Sequence, residues 1–268
     1  MFAALLGALM MHTVPQKTLT FPVTLQRNSF GPRLVARAGD VWRCMQDVVS
    51  DESSSVGWTP ERYVEENTMF VVRSMTVKHE REVGIGETLQ GRTWASRDRR
   101  SMLFTRQVRM FSGDEFVAGA TQEWAYLTRD LQATKASKGI YDAFSVTPGF
   151  PDVELPEYVA VEGKPLHRFE FTVWHGWMDP HGHVNHAAYV DYCDEGVARV
   201  VAGEGGDPQA LKPLYETVHF RAAIGAGEAI AVETTECGAS DGARVFKHRI
   251  LSGQKVCATA TLIRRAVG

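Results

Sequence analysis

The feature that most limits how this chain can fold is an internal repeat. "VKHEREVGIGETL", Val77 to Leu89, returns as "VHFRAAIGAGEAI", Val218 to Ile230, with Val, an apolar residue, G-x-G-E and an aliphatic residue at the same spacing. Gly84, Gly86 and Glu87 correspond to Gly225, Gly227 and Glu228, an offset of 141 residues in a chain of 268. A repeat of about half the chain means one supersecondary plan used twice. Each copy reads as a strand, a Gly-rich turn and a second strand.

The flanking segments match in kind. After the first copy come "TLQGRTWASRD", "RRSMLFTRQVRMF", the turn "SGDE" and "FVAGATQEWAYL"; after the second come "AIAVETTECG", "SDG", "ARVFKHRIL", "SGQ" and "KVCATATLI". These alternating runs joined by short polar turns predict an antiparallel meander in each half. One helix is expected before each meander. "GDVWRCMQDVVSD" sets Val41, Met45, Val48 and Val49 at helical spacing behind Asp40 as N-cap. "AAYVDYCDEGVARVVAG" sets Tyr189, Cys193, Gly196, Val197 and Val200 on one face, with Asn185 or His186 at the cap. Alternating strands precede both, at Phe21 to Leu25 and His167 to Trp174.

Strand, helix and meander, twice over, predict an α+β chain with a tandem hotdog fold: two curved antiparallel sheets, each wrapping a central helix. The expected organisation is an N-terminal extension over 1–16, a first hotdog domain over 17–130, a linker over 131–166 in which Pro148, Pro151, Pro156 and Pro165 crowd, and a second hotdog domain over 167–268. The apolar run at the start is shorter than the roughly 20 residues of a membrane span. It also lacks the basic segment and A-x-A site of a secretory signal. A net charge of −3 and a pI near 6.3 argue against a nucleic-acid partner held by bulk charge. Four separated cysteines with no C-x-x-C pair suit a reducing, cytoplasmic setting rather than a disulfide scaffold.

The chemistry-bearing stretch is "MDPHGHVNH", residues 178–186. His181, His183 and His186 have the spacing of an H-x-H-x-x-H zinc cluster, although Asn185 stands where a metallo-β-lactamase would place Asp. Alternatively, Asp179 leads a polar turn into a helix and works with His183 as an acid–base pair without metal.

Here the sequence resembles the acyl-ACP thioesterases of plants and bacteria. The likeness is carried by "VGWTPERY", "GETLQGRTWASRDRRSMLFTRQVRMF", "GATQEWAYLTRD" and "DPHGHVNHAAYVDY". That family's signature, roughly D-x-N-x-H-V-N-N before a helix with Tyr, is matched by Asp179, His183, Val184, Asn185 and Tyr189. His181 replaces the catalytic Asn, and His186 replaces the second Asn of the triplet. The plant enzymes' Glu-Cys pair falls on Ala223 and Ile224.

The resemblance implies hydrolysis of fatty acyl thioesters, on acyl carrier protein or on coenzyme A, in fatty acid biosynthesis, without a cofactor, by a monomer or homodimer of double hotdogs. Its catalytic candidates are Asp179 (nucleophile or base), His183, His181 and Asn185. Glu195 joins them, although four residues before Arg199 it also reads as a surface ion pair. Tyr189 and His186 are expected to bind substrate. So are Trp42 and Met45, as walls of an acyl pocket in a catalytically silent first half; packing of an ordinary core accounts for these two equally well. The helix after His186 offers first-turn N–H groups for an oxyanion. "RDRR", Arg97 to Arg100, could meet an acidic carrier protein. A dehydratase is disfavoured, since no H-P with a following P-G occurs, while an acyl-binding module without catalysis stays open because the Glu-Cys pair is missing.

Overall fold

The computed structural model describes residues 12–267; the expectations for residues 1–11 lie outside them. The chain divides into two compact units. One holds the described residues up to Arg27 with Trp42–Glu154, and the other holds Asn28–Val41 with the chain from Leu155 onward.

In the first unit the antiparallel strands β1 (Thr20–Val23), β2 (Thr68–His79), β3 (Leu89–Arg99), β4 (Leu103–Ser112) and β5 (Glu115–Thr128) lie in the order β1-β3-β4-β5-β2. The expected helix is α1 (Ala38–Ser55), which belongs to this unit from Trp42 onward, and Val41, Trp42, Met45, Val48 and Val49 are all buried. Asp40 is not its cap. Its N–H donates to the Arg37 carbonyl at 3.1 Å, so the chain is already turning and Asp40 sits in the first turn. A Cβ on Gly91 would stand 2.2 Å from Val48 Cγ2, so the absence of a side chain there lets α1 lie close on β3.

A short helix, α2 (Pro60–Glu65), follows α1 and is capped by the Thr59 hydroxyl, which accepts from Arg62 N–H. Trp58 beside it packs with Phe104, Tyr126, Ile140 and Phe144. Residues 131–166 carry α3 (Lys138–Ala143) and β6 (Val159–Ala160). The stretch from 147 to 153 is fastened to the sheet by polar pegs. Asp152 accepts from Arg97 at 2.5 Å and from Gln107 at 2.7 Å, the Pro151 carbonyl accepts from Arg109 at 3.0 Å, and Thr121 Oγ1 accepts from Val153 N–H at 2.7 Å. Both faces of β4 are thereby covered, and burial pushes the Arg109 guanidinium down to about 10.

In the second unit the strands are β7 (His167–Thr172), β8 (Leu211–Phe220), β9 (Ala229–Ser240), β10 (Ala243–Ser252) and β11 (Lys255–Ala266). They run β8-β11-β10-β9, with β6 and β7 both on the free edge of β9. Their helix is α4 (Ala188–Gly203). Its buried face holds Tyr189, Tyr192, Cys193, Gly196, Val197 and Val201; Val200, expected there, is half-buried. Here the helix supplies the close approach, since a Cβ on Gly196 would meet Thr234 Oγ1 at 2.2 Å. Arg264, fully buried on β11, ties the helix to the sheet through Asp194 at 2.8 Å and Glu216 at 2.5 Å.

The repeated G-x-G-E turns do the same work in both units. Glu87 Oε1 accepts from Gly84 N–H at 2.6 Å, and Glu228 Oε1 accepts from Gly225 N–H at 2.7 Å. Gly86 and Gly227 sit at φ +85° and +79°, where a side chain would be strained. Among the described residues no helix is long and apolar enough to cross a membrane.

Candidate active site

The "MDPHGHVNH" stretch is a tight turn hung between a 3-10 turn (His175–Trp177) and α4. Its frame is made of backbone bonds. Asp179 N–H donates to the His183 carbonyl at 2.8 Å, and Gly182 N–H donates to the Asp179 carbonyl at 3.0 Å with Gly182 at φ +77°. Asn185 N–H donates to the Trp177 carbonyl, and Val184 N–H to the Ile224 carbonyl, both at 2.9 Å. Ile224, one of the two residues standing in for the Glu-Cys pair, is therefore a buried backbone anchor for this turn, while Ala223 is exposed.

Inside the frame the side chains converge. Asp179 Oδ2 lies 3.1 Å from His183 Nδ1, and Asp179 Oδ1 accepts from His181 N–H at 2.8 Å. The Asp179 side chain is 7% exposed and that of His183 27%, so the carboxylate is sheltered and the imidazole reaches solvent. Burial works to raise the Asp179 carboxyl, but the hydrogen bond and charge of His183, with the His181 N–H, outweigh it and hold the group below its ordinary value. The same contact holds the His183 imidazolium above its usual value against the opposing effect of burial. The His181 ring is exposed, 5.8 Å from that of His183.

The remaining candidates divide. Asn185 Oδ1 accepts from Ala187 N–H at 3.0 Å, an Asx turn one residue ahead of the helix cap, which falls on Ala187 rather than on Asn185 or His186. The expected oxyanion donors are engaged: Ala188, Tyr189 and Val190 N–H donate to the carbonyls of Asn185, His186 and Ala187. Tyr189 is buried edge-on to Phe220 at 5.1 Å, its hydroxyl pKa pushed up by burial, and His186 meets the same ring at 6.1 Å. Glu195 is bonded to Arg199 at 2.7 Å on the exposed face of α4, the ordinary surface pair. The Cys193 thiol is raised far up by burial and suits a core residue, not a nucleophile. Trp42 and Met45 belong to the first unit and are fully buried. Two of the "RDRR" arginines are already paired, Arg97 with Asp152 and Arg99 with Glu123. Among the described residues no three His, Cys, Asp or Glu side chains come together as metal ligands.

Sequence reading missed that the first half has this turn too. Before α1, Gly31 N–H donates to the Val35 carbonyl, Leu34 N–H to the Gly31 carbonyl and Arg37 N–H to the Ser29 carbonyl, each at 2.9 Å. Phe30 and Ala36 form the bridge that Met178 and Val184 form in the other copy. "GPRLVAR" and "DPHGHVN" are thus one backbone with two sets of side chains: Gly31 stands for Asp179, Val35 for His183 and Arg37 for Asn185. Pro32 and Pro180 were the shared signal, hidden because the offset here is 148 rather than 141 residues.

Comparison with known proteins bears on the fold. The family model of the Thioesterase-like superfamily matches residues 173–265, the stretch that contains the Asp179 turn. A structure described as an oleoyl thioesterase from Lactobacillus plantarum aligns with a TM-score of 0.81 at 14% identity, covering 94% of this chain and 97% of its own. The 12:0-ACP thioesterase from Umbellularia californica aligns with a TM-score of 0.76 at 17% identity, covering 93% and 94%. An acyl-ACP thioesterase from Bacteroides thetaiotaomicron aligns with a TM-score of 0.73 at 14% identity, covering 93% and 98%. No curated protein matches the sequence. The fold is therefore the expected double-hotdog class, similar to acyl-ACP thioesterases over nearly the whole chain, and the second half carries a thioesterase-like region. Together these support thioester hydrolysis in general.

Proposed function

We propose that this chain hydrolyses fatty acyl thioesters through His183, held and made more basic by Asp179. The observation that carries the reading is the 3.1 Å contact between Asp179 Oδ2 and His183 Nδ1 in a turn that the first copy builds without either side chain. Both Asp179 oxygens are occupied, one by His183 and one by His181 N–H. That favours Asp179 as the group that orients the imidazole over Asp179 as nucleophile.

With Nδ1 turned to the carboxylate, Nε2 takes the proton from a water whose oxygen attacks the thioester carbon. When the tetrahedral intermediate collapses, the C–S bond breaks and the thiolate receives that proton from His183, releasing free acid and thiol. His181 lines the approach, and Asn185 fixes the start of α4. Tyr189 and His186, grouped on Phe220, form the inner wall.

Acyl carrier protein is the first choice of carrier, by resemblance to the ACP thioesterases, and coenzyme A the second. Trp42 and Met45 are assigned to the wall of the acyl pocket, and a cytoplasmic setting suits the four free cysteines. Incubating the purified protein with acyl-ACP and acyl-CoA of increasing chain length, with chelator present, tests the reading. Free acid should appear, and hydrolysis that vanishes with chelator and returns with zinc contradicts it. Trp42→Ala should move the optimum to longer chains; a uniform fall with a lower Tm instead makes Trp42 plain core. The missing Glu-Cys pair favours one rival, an acyl-binding module, which predicts binding with no acid released from any chain length.

A further inference from the structure

Trp174 is 69% exposed, the one aromatic among the large exposed hydrophobics of the described residues. It is nevertheless held in place. Its ring stacks on Trp177 with centroids 4.9 Å apart and planes 7° from parallel. Trp177 is backed edge-on by Tyr192 at 5.3 Å and Phe171 at 5.7 Å. The backbone on both sides is anchored. Val173 N–H donates to the Glu228 carbonyl and Gly227 N–H to the Val173 carbonyl, both at 2.9 Å, and the Trp177 carbonyl takes Asn185 N–H. The outer indole face is therefore presented as a fixed platform, five residues before Asp179, a stretch that spans at most about 18 Å.

One exposed ring face is far smaller than the roughly 800 Å² a protein partner needs on each side. An acyl chain, for its part, binds where most of its surface is enclosed. What continues a parallel stack of two indoles is a third planar ring. We propose that Trp174 is a stacking site for the adenine of a coenzyme A thioester, which places acyl-CoA within the substrate range of this chain. The proposal rests on the thioesterase reading for its substrate class. A base stacked on Trp174 leaves the flexible pantetheine arm to carry the thioester to the Asp179–His183 turn. A carrier protein's pantetheine ends on a phosphoserine and offers no such ring.

The test compares wild type, Trp174→Ala and Trp174→Phe on one acyl group carried by coenzyme A and by pantetheine alone. Loss of a base-stacking aromatic is worth about 5- to 100-fold in binding. The KM for acyl-CoA should rise by that order in Trp174→Ala and by less in Trp174→Phe, with kcat held and the values for acyl-pantetheine unmoved. A separate titration with adenosine bisphosphate should quench tryptophan fluorescence in wild type and not in Trp174→Ala. Equal changes on both substrates, or no change on either, would overturn the stacking site while leaving the thioesterase reading intact. If wild type hydrolyses neither substrate, the thioesterase reading fails, and the titration alone then decides whether the platform binds the base.

Discussion

The turns at Gly31–Arg37 and Asp179–Asn185 are the same backbone put to different uses. Each has a 3-10 turn before it, a proline at its second position, the same three backbone hydrogen bonds, an antiparallel bridge and a helix after it. Each also has one residue in the left-handed region, Leu34 at φ 60° in the first and Gly182 at φ 77° in the second. Gly31 and Val35 suffice to build the first turn, so Asp179 and His183 are not required to build the second. A polar pair that the fold does not need, sheltered at one end and open to solvent at the other, is what a catalytic site retains. The copies of G-x-G-E teach the converse. There the same glutamate makes the same bond in both units, which marks Glu87 and Glu228 as parts of the fold.

The largest expected effect separates the turns by chemistry. Asp179→Asn should lower kcat/KM by about 10² to 10⁴, the range of a positioned acid–base group, while Cys193→Ala leaves it near wild type. The pH profile sharpens the point. His183 must be neutral to accept a proton, and Asp179 holds its pKa above 6.5, so activity should rise with pH through an acid limb above 6.5. In Asp179→Asn that limb should move down. A limb unmoved by the substitution would mean that another group is titrating.

The same pair makes a stability prediction. Asp179, lowered in the fold, contributes above its unfolded value of 3.8, and the contribution is lost as pH falls through its folded pKa. His183, raised in the fold, contributes below 6.5, and the contribution is lost as pH rises through its folded pKa. The difference in Tm between wild type and His183→Gln should therefore be greatest between about pH 4 and 6.5; a difference that grows toward alkaline pH contradicts the pairing.

A smaller effect tests the shared backbone. A left-handed residue with a Cβ costs about 1 to 2 kcal/mol. Gly182→Ala has room for its Cβ, with nothing within 4 Å, so it should lose about 1 kcal/mol by strain alone. Leu34→Gly should relieve a similar strain, less what the more flexible unfolded chain takes back. Urea midpoints of the two variants should move in opposite directions. The smallest effect is expected at the G-x-G-E turns. Glu87 is gripped by both arms of Arg81 and lies near pKa 2, whereas Glu228 has Ser252 and is lowered less. Glu87→Gln should cost more stability than Glu228→Gln above pH 4.5, and the cost should fade toward pH 2 as the wild-type carboxylate is protonated.

The meander strands, the two long helices and the D-P-H-G-H-V-N turn were legible because each has a periodicity or a side-chain signature, whereas the short α2, α3 and β6 fell outside that pattern. The matching turn before α1 was not, since its bonds run between backbone atoms and Leu34 occupies the place where a glycine would have signalled the left-handed residue. Nothing in the sequence marks Gln107 and Arg109 as buried. They alternate like the wet face of a strand, yet the stretch around Pro151 and Asp152 covers them, a contact set by residues more than 40 positions away. Asn185 or His186 was expected at the helix cap, which falls on Ala187, and the Asn185 side chain closes a turn onto Ala187 instead.

The central claim is that the second turn carries chemistry on a backbone the first turn builds without it. The double substitution Asp179→Gly, His183→Val writes the first copy's residues into the second. Circular dichroism, Tm and acyl thioester hydrolysis measured together on that variant test the claim. The account predicts a folded protein that melts within a few degrees of wild type and has lost hydrolysis by about 10² or more. Hydrolysis retained near the wild-type rate, or a chain that no longer folds, would contradict it.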